Sequence, residues 1–213
     1  MRKIGAHVSS AGGPTNAVKN ILAIGGNCLQ IFAGSPRTWN RSLYASSEIT
    51  KFNELILEHH LDPVFIHALY LVNLASNNPD ILEKSHNSLL TDLQNSDSIN
   101  SAGVIVHLGS HQGRGFTTVK NQLIEKIISL INQTQTTPFL IENSSGQKGK
   151  IGLLSEIEIL LKEINSPRLK VCLDTAHLFE AGYDLSSPTE TDKLIKELER
   201  RNILKAISCL HLN

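Results

Sequence analysis

Cysteine is scarce in this chain and poorly spaced for covalent cross-linking. The 213 residues hold three cysteines, Cys28, Cys172 and Cys209, an odd count with no CxxC pair. That argues against both a disulfide framework and a thiolate zinc knuckle. An excess of either charge is also missing, since Lys+Arg and Asp+Glu number 20 each. The net charge therefore does not advertise a nucleic-acid partner, although a basic rim over a metal-filled centre would be invisible in the sum. No stretch approaches the ~18 apolar residues needed to span a bilayer. The opening MRKIGAHVSSAGG also lacks the apolar core of a signal peptide, so a cytoplasmic protein without membrane contact is expected. Neither a GxGxxG turn after the first strand nor a GxxxxGK[ST] loop occurs, which disfavours an open dinucleotide-binding sheet and excludes a phosphate-loop fold.

What the chain does have is 40% hydrophobic residues, enough for a full core, with a lowish 19% charged. Seven apolar, strand-like runs each end in or enclose a polar residue able to bind a metal or ligand. They are KIGAH at His7, CLQIF at Gln30, PVFIH at His67, VIVH at His107, PFLIE at Glu142, LKVCLD at Asp174 and ISCLH at His211. A parallel strand covered on both faces reads as a continuous apolar run, so a charged or imidazole side chain at its end needs a reason. In (β/α) barrels the C-terminal strand ends build the active site.

Between these runs lie stretches of helical periodicity: Pro14–Gly25, Ser47–His60, Asp80–Ala102, Thr118–Gln133, Leu153–Ile164 and Thr189–Asn202. Strands alternating with helices mean a parallel sheet. The expected fold is α/β, a (β/α)8 TIM barrel occupying residues 1–213 as a single domain. Seven strand–helix units are present where eight are required, and an open barrel leaves unpaired edges that proteins avoid. An incomplete C-terminus is therefore expected.

His67, His107, Glu142, Asp174, His177 and His211 are donors of the kinds that hold Zn²⁺, Mn²⁺ or Fe²⁺. Asp174 and His177 stand three apart in LDTAHLF, where a strand turns into a helix, so each can reach a different ion. Glu142, with two oxygens, can bridge two. Multi-metal sites of this type promote in-line phosphoryl displacement. A single histidine ending a strand is usually a hydrogen-bonded structural residue, but six donors at matching ends are hard to dismiss. His59, His60 and His86 fall on helix faces read as solvated, and His111 lies in a loop. The cysteines each precede a polar strand residue by two positions, so they should face the same way one layer deeper, as small buried hydrophobes.

GAHVSSAGG at 5–13, SPRTWN at 35–40, HALYLVNLAS at 67–76, HLGSHQG at 107–113, IENSSGQ at 141–147 and LDTAHLFEAGYD at 173–184 together resemble endonuclease IV, the zinc-dependent apurinic/apyrimidinic endonuclease family. The resemblance runs along the whole chain in order. It implies a (β/α)8 barrel with three zinc ions (manganese as an alternative) and hydrolysis of the phosphodiester bond 5′ to abasic sites in double-stranded DNA, leaving a 3′-hydroxyl. It further implies that His67 and His107 hold one ion, that Glu142 bridges it to a second, and that Asp174 and His211 complete the shell of that second ion. His177 would begin a third site, and Glu142 would be the catalytic carboxylate. His7 and Gln30 would support the ligands from behind or face the substrate rather than ligate. Arg37, Tyr70 and Leu71 would probe the minor groove and fill the gap left by the flipped nucleotide, with Gly109, Ser110 and the 144–150 loop near phosphates. Tyr70 and Leu71 could instead be core residues of the following helix. Family members continue past HLN with further ligands, so this chain alone is expected to be poorly active, and to be a monomer.

Two other functions compete. A keto-sugar isomerase or epimerase on a similar barrel would use one divalent ion with a carboxylate pair. A non-catalytic DNA-binding remnant would use none of this chemistry.

Overall fold

The computed structural model describes residues 2–213. Its seven strands form one parallel sheet in chain order. They are β1 (Gly5–His7), β2 (Cys28–Phe32), β3 (Val64–His67), β4 (Gly103–Val106), β5 (Phe139–Glu142), β6 (Leu169–Asp174) and β7 (Ile207–His211). Six helices return the chain between strands: α1 (Pro14–Ala23), α2 (Ser46–Glu58), α3 (Pro79–Ser98), α4 (Phe116–Asn132), α5 (Leu154–Ile164) and α7 (Pro188–Arg200), while a short α6 (Thr175–Glu180) follows β6 directly. Every residue of β3, β4 and β5 is buried, because helices cover one face and the sheet curls over the other. The curl is explicit at the top, where His211 of β7 meets Gln30 of β2 at 2.8 Å.

The main core lies between sheet and helices and includes Ile31, Ile66, Val106, Ile141 and Val171 packed against Ile21, Leu89, Leu93, Leu123, Ile127 and Ile157. A second, smaller cluster of Phe65, Ile105, Leu140 and Cys172 fills the concave side. These residues alternate with the outward set along each strand, as a period of two requires.

Local signals explain the helix boundaries. Pro14, Pro79 and Pro188 each sit at the first helical position, where the missing N–H and preset φ suit a helix start. Asn78 Oδ1 caps α3 by accepting from Asp80 N at 2.9 Å and Ile81 N at 3.3 Å. Glu156 Oε2 accepts from Gly152 N at 2.7 Å and Leu153 N at 3.0 Å at the start of α5.

The strand runs fall where the apolar pattern puts them, with two offsets: Gln30 is central in β2, and His107 lies one residue past β4. Helix α3 stops at Ser98, short of the expected Ala102, because Asn100 turns to a φ of 51° and the chain must swing into β4. The cysteines need correction too: Cys172 is buried, but Cys28 and Cys209 are only half-buried, since they lie near the two outer edges of the sheet. His86 is likewise half-buried rather than solvated, its ring against Gln133 at 3.3 Å. His59 and His60 are exposed as expected.

Candidate metal centre

Five of the seven polar strand residues, with His177 from α6, converge on the concave rim around one carboxylate. Glu142 ends β5 and is 2% exposed. Its Oε2 lies 3.1 Å from His67 Nε2 and 3.3 Å from His107 Nε2, and its Oε1 lies 3.1 Å from His211 Nδ1 and 3.5 Å from His177 Nδ1. Each oxygen thus faces its own pair of imidazoles. Asp174, also 2% exposed, flanks the second pair: Oδ1 is 3.7 Å from His177 Nδ1, and Oδ2 is 3.7 Å from His211 Nδ1.

Backbone and side-chain partners behind these rings set their orientation. His67 Nδ1 donates to the carbonyl of Ala68 at 2.7 Å, which turns its Nε2 toward Glu142. His177 Nδ1 is 3.0 Å from the carbonyl of Asn143. On the other side runs a relay: Gln30 Nε2 donates to His7 Nδ1 at 3.0 Å, and Gln30 Oε1 accepts from His211 Nε2 at 2.8 Å. These contacts leave His211 Nδ1 facing the carboxylates.

The electrostatics follow from crowding imidazoles about a buried anion. Burial pushes Glu142 up, but hydrogen bonds from His211 and His67 and the charge of His107 outweigh it and hold the carboxyl well below its usual range. His107 is lowered to about 4, mainly by burial. His7 is also lowered to about 4, by burial and then by His67 and His211. His211 goes the other way: burial pulls it down, yet hydrogen bonds with Cys209 and Glu142 lift it to about 10. A buried, ionised carboxylate ringed by imidazoles offers a donor set suited to cations. Donor atoms of His67, His107 and Glu142 lie within 4.8 Å of one another, and so do those of Glu142, Asp174 and His177. Nitrogen and oxygen donors in these numbers fit Zn²⁺ or Mn²⁺.

Three asparagines that the strand pattern does not single out hold the rim together. Asn143 is 1% exposed; its Oδ1 accepts from Asp174 N at 2.6 Å and its Nδ2 donates to Asp174 O at 3.2 Å. Asn213 Nδ2 donates to Asp174 Oδ2 at 2.5 Å. Asn73 Oδ1 accepts from Ser110 N at 3.2 Å and Ala75 N at 3.0 Å, latching the loop after β3 to the loop after β4. Gly109 passes against this latch with a φ of +94°, and a Cβ there would stand 2.6 Å from Asn73 Cα, so only glycine fits. A cue for Asn143 existed in its place directly after Glu142; nothing in the sequence marks Asn73.

The residues expected to meet DNA lie outside the cluster on the same rim. In the loop after β3, Ala68, Leu69 and Val72 are buried while Tyr70 and Leu71 are 63% and 42% exposed. They are therefore not core residues of α3. Tyr70 packs edge-on against Phe32, ring centroids 5.4 Å apart, beside His67. Arg37 is exposed on the loop after β2. Ser110 pairs with Lys150 across the rim, and His111 Nδ1 takes a hydrogen bond from Gly115 N at 3.1 Å. Among the described residues, no helix is long and apolar enough to cross a membrane.

Known proteins share this fold. The family model described as "xylose isomerase-like TIM barrel" matches residues 18–213. A protein named probable endonuclease 4 from Halothermothrix orenii is 35% identical, over 99% of this chain and 77% of that protein. The crystal structure of endonuclease IV from Thermus thermophilus superposes with a TM-score of 0.86 at 31% identity, covering 98% of this chain and 76% of the other. D-Psicose 3-epimerase from Clostridium cellulolyticum shares the fold alone, with a TM-score of 0.70 at 16% identity over 99% of this chain and 73% of its own. With its curled parallel sheet and its full-length match to these relatives, the chain belongs to the endonuclease IV family within the xylose isomerase-like TIM barrels.

Proposed function

We propose that this protein is a metal-dependent phosphodiester hydrolase that incises double-stranded DNA 5′ to abasic sites and leaves a 3′-hydroxyl. The observation that carries the reading is the two-faced carboxylate: Glu142 Oε2 opposite His67 and His107, and Oε1 opposite His177 and His211. One carboxylate addressed from both sides is what a pair of adjacent ions needs. His67 and His107 would hold one ion, Asp174 and His211 would complete the shell of a second, and His177 would open a third position. When bound, the ions supply a low-pKa water and neutralise the charge on the leaving oxygen.

The chain's own residues do the rest. Glu142, ionised across the working pH range because its imidazoles hold it down, is the catalytic carboxylate that sets where water meets phosphorus. His7 and Gln30 orient His211. Tyr70 and Leu71 stand ready to enter the duplex stack, and Arg37 to follow the minor groove. An abasic nucleotide is the easiest to extrude, since unstacking it costs least.

The test is incision of a duplex carrying a tetrahydrofuran abasic analogue, with Zn²⁺ or Mn²⁺, against the same duplex undamaged. Cleavage 5′ to the analogue with a 3′-hydroxyl product is expected, abolished by chelation and reduced at least about 100-fold in Glu142→Gln. Equal binding of damaged and undamaged duplex, or turnover of a keto-sugar with one ion per chain, would overturn the reading.

A further inference from the structure

Beneath the rim the concave face holds a second donor set that shares His211 with the centre above and adds two thiols the proposed chemistry does not use. Cys172 on β6 and Cys209 on β7 are direct register partners, as are Asp174 and His211 two residues further on. Alternation along each strand therefore stacks both thiols under the carboxylate and the imidazole. Donor atoms of Cys172, Cys209 and His211 lie within 4.8 Å of one another. Cys172 is fully buried against Phe65, Ile105 and Leu140, and Cys209 packs beside it. The third cysteine, Cys28 on β2, stands outside this group.

Two sulfurs and one imidazole in an apolar pocket are a soft donor set. It differs in kind from the nitrogen and oxygen set above, because thiolates select thiophilic closed-shell cations while carboxylates favour harder ones. From this geometry we infer that Cys172, Cys209 and His211 form a separate soft-metal site for one thiophilic cation such as Cd²⁺ or Cu⁺, and that filling it withdraws His211 from the centre above. Binding of a divalent ion breaks two S–H bonds, releases both protons to solvent and forms two S–metal bonds, with no change of oxidation state. His211 adds a ring lone pair. That ring already faces Glu142 Oε1 at 3.1 Å and Asp174 Oδ2 at 3.7 Å, so it cannot serve both levels fully. The competition rests on the proposed role of the upper site; the thiol site itself does not.

The test is a Cd²⁺ titration of the reduced protein, read by the ultraviolet thiolate-to-metal charge-transfer band, which nitrogen and oxygen ligands do not give. Wild type and Cys28→Ser should develop the band to an end point of one ion per chain. Cys172→Ser and Cys209→Ser should lose it, and the alanine variants at both positions, with circular dichroism as the folding check, guard against a misfolded serine mutant. Absence of the band in wild type, its survival in Cys172→Ser, or its loss in Cys28→Ser would overturn the site. The competition is read separately, with a chromophoric zinc chelator on zinc-loaded protein: one equivalent of Cd²⁺ should release zinc from wild type and not from Cys209→Ser. A full band with no zinc released would overturn the withdrawal of His211. Neither readout needs nuclease activity, so failure of the proposed function would register independently.

Discussion

Gln30 is the residue whose role depends most on its neighbours. It donates to His7 Nδ1 and accepts from His211 Nε2, so it decides which nitrogen of His211 faces Glu142. Removing such a support costs a metal site about 10–100-fold in affinity without deleting a ligand. Gln30→Ala should weaken zinc binding by that factor in a chelator competition while the metal-free melting midpoint barely moves. Unchanged zinc affinity would show that the relay orients nothing. Asn143 belongs to the same class, since both of its amide atoms are spent on the backbone of Asp174. Its place directly after Glu142 hints at a role, but its partner is 31 residues away.

At the scale of elements, the loops after β2 and β3 are anchored to the body of the fold. Over residues 68–76 the loop after β3 buries Ala68, Leu69, Val72, Leu74 and Ala75 and exposes Tyr70 and Leu71. Truncating exposed tips changes stability by less than about 0.5 kcal/mol, whereas losing a side chain that stacks on bases costs about 1–3 kcal/mol of binding. Tyr70→Ala and Leu71→Ala should thus keep the wild-type melting midpoint and bind abasic duplex roughly tenfold more weakly in fluorescence anisotropy. An equal loss on undamaged duplex would argue against insertion at the lesion. The loop after β2 is pinned to α3 by Arg41 Nε at 3.2 Å from Asp92 Oδ1, with side chains 3% and 0% exposed, and by Asn95 bonding to Ser42 and Tyr44.

Neither oxygen of Asp92 has an aligned hydrogen-bond partner, and burial, opposed by Arg41, pushes its carboxyl up to about 7. A carboxyl raised on folding takes up a proton on folding, so its contribution is fully present below about pH 4 and is lost as pH rises toward 7. Wild type should lose roughly a few kcal/mol across that window relative to Asp92→Asn in denaturant titrations. Parallel pH profiles for the two proteins would refute the assignment.

For the whole molecule, the proposed metal centre would act as a clasp. The candidate donors end or follow β3, β4, β5, β6 and β7, so ions bound there would tie five strands at one rim. A cation that binds only the folded chain stabilises it by mass action, about 2.7 kcal/mol at a hundred times its dissociation constant. Zinc should raise the melting midpoint in a concentration-dependent way, and chelation should reverse the gain. A midpoint indifferent to both would mean that the donors do not share ions across strands.

The strand runs and the polar residues within or at their ends are legible directly in the sequence. A period of two and two-sided burial leave few places for His67, Glu142 or Asp174 to stand, and helix starts are marked by Pro14, Pro79 and Pro188. The motif resemblance names the family that comparison then establishes. What needs tertiary structure is everything that depends on the curl of the sheet. Only there does His211 of β7 reach Gln30 of β2, does each oxygen of Glu142 acquire its own pair of imidazoles, and does Cys209 come to lie beside Cys172 and His211. Local sequence determines which way a side chain points from its strand; the curvature of the sheet decides what it meets.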